Sequence, residues 1–167
     1  EITVGFEALI DGFRENYYDP SLLVKSLTLP SHTNMIQALG KGADPHKTAL
    51  TLKQVKCYLA DTLKDQWLRL YNEFQDIGTY SADHESIARR ELKNMALSYL
   101  MAAETPDLDL ARAQYNGADN MTDRMAALRE IVHHKGDLRD SLLAEFYATH
   151  KEHPLVVNKW LVAQAIS

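Results

Sequence analysis

Cysteine is all but absent. Cys57 stands alone, so no disulfide can close within the chain, and a small disulfide scaffold is excluded. Glycine and proline are scarce, at 7 and 5 in 167 residues, too few for the frequent turns that many short strands demand. No stretch approaches the roughly twenty uncharged apolar residues of a membrane span. A basic excess is missing as well. Against 18 Lys and Arg stand 23 Asp and Glu, a net charge of −5, whereas nucleic acid calls for a clustered basic face. Nor do the first residues read as a secretory leader, because Glu1 and Asp11 sit where a basic region and an apolar core belong. Apolar content is not lacking. At 46% hydrophobic the chain can offset its ordering entropy, which excludes disorder and fits one globular helical domain over 1–167.

What is present is helical spacing. Leu52, Val55, Leu59, Leu63, Trp67, Leu70 and Phe74 follow one another at 3, 4, 4, 4, 3 and 4 residues, one unbroken apolar stripe on a long helix. Asp44-Pro45 supplies its start, an N-cap acceptor followed by a residue whose missing N–H costs nothing there, and Gly78 marks its end. An opening helix is predicted over Ala8 to Tyr17 and broken by Asp19-Pro20, with short pieces at Ser21 to Leu27 and Ser31 to Leu39. Asp83 or Ser81 caps a helix carrying Ala88, Leu92, Met95, Tyr99 and Ala103, which Pro106 stops. Shorter helices follow from Asp107, Asn120, Asp137 and Pro154. The last three starts are 17 residues apart, the spacing of stacked helical hairpins. Tetratricopeptide signature residues are missing. The fold class is therefore all-α, irregular stacked helical hairpins of a superhelical, armadillo- or HEAT-like kind, with no sheet.

Both ends read as cut from something longer. Residue 1 is Glu, and from Pro154 to Ser167 the only charge is Lys159. A helix apolar on all sides is buried on all sides, and terminal repeats ordinarily carry a polar outer face. Something should cover it, unless it is the central helix of a compact bundle.

Candidate chemistry is thin. His84-Glu85 begins like the zinc peptidase motif H-E-x-x-H, but Ala88 stands where the second histidine belongs, and Glu85 is expected to pair with Arg89 one turn on. Adjacent His133 and His134 diverge by about 100° and cannot share an ion. His150 and His153, with Glu145 or Glu152 nearby, sit at a helix end, where the dipole favours histidine without metal. Cys57 lacks a local histidine and reads as a buried small hydrophobe. Arg89, Arg90 and Lys93, interrupted by Glu85 and Glu91, read as a solvated face. Asn120-Met121-Thr122-Asp123 is the most distinctive string: a good helix start, or a partner or substrate contact. No catalytic, cofactor-binding or metal residue is assigned, and substrate-binding residues stay unknown.

A resemblance enters at these residues. Leu27-Thr28-Leu29-Pro30-Ser31, Leu70-Tyr71-Asn72, Ile87-Ala88-Arg89-Arg90-x-Leu92-Lys93-Asn94, Asn120-Met121-Thr122-Asp123 with Ala126-Ala127-Leu128, and Lys159-Trp160 with Gln164-Ala165 occur here in the order found in the bacterial aminopeptidase N family. Over essentially all its length the chain resembles part of that family's C-terminal helical domain. The resemblance implies a large zinc exopeptidase that removes N-terminal residues such as Ala from peptides. It also implies that the zinc ligands, the catalytic glutamate and the G-A-M-E-N stretch lie in a separate catalytic domain. That domain of the same parent chain would be the partner, with peptides met only indirectly and with neither nucleic acid nor membrane involved. Zinc is expected in the parent and none in this chain; the expected location is the cytoplasm. The alternative is a stand-alone helical-repeat protein-interaction module.

Overall fold

The computed structural model describes residues 1–16, 19–75 and 78–165. Among them are ten α-helices, one 3-10 turn and no strand. In order these are α1 (Ile2–Asn16), α2 (Pro20–Leu27), α3 (His32–Leu39), the 3-10 turn Gly40–Gly42, α4 (Pro45–Thr62), α5 (Lys64–Glu73) and α6 (His84–Leu100), then α7 (Leu108–Gly117), α8 (Met121–Val132), α9 (Asp137–His150) and α10 (Pro154–Ala165). No described helix is long and apolar enough to cross a membrane. Two compact units divide the chain, Glu1–Pro106 and Asp107–Ser167.

Caps set most boundaries. Asp19 Oδ1 accepts from the Ser21 amide, Ser31 Oγ from that of Asn34, and Asp44 Oδ1 from both His46 and Lys47. Each satisfies amides that a first turn leaves unpaired. The opening helix starts six residues earlier than its spacing predicts, at Ile2; Tyr17, its predicted end, lies outside the described residues. The long stripe proves to be two helices meeting at Leu63, where φ is −108° and ψ 25°. The i→i−4 bonds continue through the junction, Leu63 to Leu59 and Trp67 to Leu63. The Leu59 carbonyl, however, also accepts the indole N–H of Trp67 at 3.0 Å. The indole bond thus ties α5 back to α4 across the junction. Apolar period alone does not reveal it.

The core of the first unit is built around that junction. Leu59, Leu63, Trp67 and Leu70 are wholly buried, while Leu52 and Val55 nearer the start of α4 are only half-buried. Trp67 lies flat on Tyr99 of α6, centroids 4.1 Å apart and planes 2° apart, and Phe6 of α1 meets both rings edge-on at 6.3 and 6.2 Å. Tyr99 donates its hydroxyl to the Leu27 carbonyl at 2.8 Å, joining α6 to the end of α2. Burial raises that phenol well above its ordinary range. Gly78, in the loop after α5, has φ 82°, a left-handed turn that glycine adopts without strain.

In the second unit, starts fall at Met121, Asp137 and Pro154, close to the predicted spacing. Gly136, with φ 148°, takes the chain into α9. Phe146, Leu128, Ile131 and Ala127 form the centre. The last helix is only partly covered, which rules out the compact-bundle alternative. It packs on α8 and α9, buries Ala163 and ties the Trp160 indole to the Leu143 carbonyl at 3.0 Å. Yet Leu155 is 79% exposed, Leu161 52% and Val162 51%. It is neither buried on all sides nor the centre of a bundle; Ile166 and Ser167 lie outside the described residues.

Candidate functional site

Two polar constellations stand out, one in each unit. The first surrounds the start of α6. Asp83 caps it, accepting from the Ser86 amide and hydroxyl at 2.9 and 2.8 Å and from the Ser81 hydroxyl. The Ser81 hydroxyl and the two Ser86 groups hold the Asp83 carboxyl well below the usual range. Thr79, Ser81, Asp83, Glu85, Ser86, Arg89 and Arg90 line a cleft of about 340 Å3 beside it.

The arginines there are not the solvated face that charge spacing predicts. Arg90 is 4% exposed, with its guanidinium 4.8 Å from the Tyr80 ring and donating to the Ser81 carbonyl at 2.7 Å; Lys93 is 3% exposed. Arg89 does not pair with Glu85. It donates to the carbonyls of Glu73 and Gln75 at 3.0 and 3.2 Å and lies over the Phe74 ring at 5.2 Å. Carbonyls left over at the end of α5 are better partners than a solvated carboxylate, because they have no intrahelical donor of their own. Two consecutive arginines therefore fasten the residues on either side of the α5–α6 connection.

The second constellation is the start of α8. Asn120 Oδ1 accepts from the Asp123 amide at 2.9 Å, and its amide nitrogen donates to Asp119 Oδ1 at 2.9 Å and Asp123 Oδ2 at 3.1 Å. Asp123 is 2% exposed, and Gln114 of α7 donates to its carbonyl at 3.0 Å. Arg124 donates to the Ala118 carbonyl at 2.7 Å and sits 5.9 Å from the Tyr115 ring. Burial and the nearby Glu145 push the Tyr115 phenol up to about 12. The string that stood out in the sequence is thus a reciprocal cap locking α7 to α8, with its carboxylate turned inward.

The remaining candidates do not converge. His84 is exposed and meets Asp19 Oδ2 at 2.9 Å, far from any zinc-like arrangement. His133 and His153 are exposed, and His134 is half-buried. His150 rests on the Phe146 ring at 4.6 Å. Burial, with Arg124 and His153 nearby, lowers its pKa, so these outweigh the helix dipole that should favour its charged form. Cys57 is half-buried rather than buried, and its thiol donates to Asp61 Oδ2 at 3.6 Å. Burial and that carboxylate push the thiol up, away from nucleophile chemistry. Among the described residues no group of three His, Cys, Asp or Glu side chains could hold a metal ion, so the donor set does not fit zinc. Sequence reasoning missed the Trp67–Tyr99 stack and the burial of Arg90; the aromatic Tyr80, ten residues before Arg90, was the available signal for the latter.

Ten α-helices packed on their neighbours, with no strand among the described residues, define an all-α fold of the armadillo-like helical-repeat kind. The chain belongs to the family described as "Domain of unknown function (DUF3458_C) ARM repeats", which it matches over residues 4–167. It is 36% identical over 163 residues to aminopeptidase N of Escherichia coli, covering 94% of this chain and 18% of that protein. To aminopeptidase N of Haemophilus influenzae it is 32% identical over 152 residues, covering 90% of this chain and 17% of that protein. Legionella pneumophila aminopeptidase A, solved in complex with aspartic acid, shares the fold with a TM-score of 0.79 at 24% identity, over 97% of this chain and 20% of that one. The chain thus spans a fifth or less of the length of these relatives.

Proposed function

We propose that this chain is a non-catalytic segment of the C-terminal helical domain of a zinc-dependent aminopeptidase. Its parent would remove N-terminal residues from peptides. The segment would help wall the cavity through which peptides reach an active site carried by other domains of the same chain. The observation that carries this reading is the match to aminopeptidase N along nearly the whole of this chain but under a fifth of that protein. H-E-x-x-H is nowhere in the sequence, so the zinc-peptidase motif is not carried by these residues. By this reading the metal, the activated water and the catalytic base would be held elsewhere in the parent. What this chain supplies is stacked, capped helices and, on α10, an apolar face on which a further helix of the same domain would pack. The lone Cys57 fits a reducing compartment, and the proposed location is the cytoplasm.

A second reading, a stand-alone helical-repeat interaction module, draws on the same exposed Leu155, Leu161 and Val162. The natural reading frame separates the two. Full-length protein carrying this segment should hold zinc and release alanine from alanyl substrates, while residues 1–167 alone should do neither. One tight zinc on the isolated chain, turnover by it, or a natural frame confined to these residues would overturn the proposal.

A further inference from the structure

We draw no further inference here: the strongest candidate beyond the reading above, the polar cleft at the start of α6, is a helix N-terminus whose Arg89 and Arg90 are already engaged by backbone carbonyls and aromatic rings, and nothing else in the structure points to a ligand.

Discussion

Replacing Trp67 by Ala removes the side chain on which the first unit is assembled. Trp67 is wholly buried, stacked on Tyr99 at 4.1 Å and met edge-on by Phe6 at 6.3 Å. Large aromatic-to-alanine truncations in cores cost roughly 3–5 kcal/mol, through lost transfer energy and the cavity left behind. Each aromatic pair adds roughly 0.5–1.5 kcal/mol beyond its buried area, which places this site in the upper half of that range. The lost indole bond adds little, on the order of 0.5 kcal/mol, because the Leu59 carbonyl keeps the Leu63 amide at 3.1 Å. A loss of about 4 kcal/mol moves a urea midpoint by roughly 2 M at a slope of about 2 kcal/mol/M. Far-UV circular dichroism can follow the transition, since helices fill the unit. In the variant, fluorescence of Trp160, the only remaining tryptophan, follows the second unit separately. Trp67→Phe, which keeps a ring between Tyr99 and Phe6, should lose less than half as much. If Trp67→Ala unfolds at the midpoint of the unaltered chain, the stack does not hold the unit together and the reasoning fails.

Asn120→Ala should destabilise the second unit by about 1–2 kcal/mol, the upper part of the range for lost N-caps, because the amide also serves the buried Asp123 carboxylate. Asn120→Ser should restore most of this; with Trp67→Phe in every variant so that Trp160 reports alone, equal midpoints for Ala and the original residue would contradict it. His150 has a folded pKa below its ordinary 6.5, so the unfolded chain binds the proton more readily. Its contribution is then full above about pH 6.5 and lost as pH falls through the lowered folded value. His150→Asn should flatten the acid limb of a stability–pH curve, and an unchanged slope would refute that. Cys57 should alkylate slowly near pH 8, and Asp61→Asn should speed it by removing the carboxylate that holds the proton on the thiol. Unchanged iodoacetamide kinetics in the variant would sink that account.

Much of the fold was legible because caps and apolar period are local signals. Asp44-Pro45, Ser31, Asp83, Asp107 and Asn120 open their helices as their chemistry dictates. The break at Leu63 was not legible, since the stripe runs through it without a change of period; the bond from Trp67 back to Leu59 that spans it is seen only in the fold. The arginines at 89 and 90 misled for a related reason. Charge spacing describes a helix in isolation, whereas their partners are carbonyls and rings of the preceding connection. Cys57 was half readable: its distance from any histidine ruled out a nucleophile, but its bond to Asp61 is seen only in the fold. The site was legible mainly as an absence of metal-ligand spacing, which is why function rests on resemblance and not on geometry.

Hydrogen exchange at the α10 amides tests the central claim most directly, compared between residues 1–167 alone and the full-length protein. An apolar helix with Leu155, Leu161 and Val162 facing water opens readily, and a covering helix should protect it. The account predicts that α10 exchanges faster than α8 in the isolated chain and becomes as protected as α8 in the full-length protein. Equal protection of α10 in both, already matching α8 in the isolated chain, would contradict it.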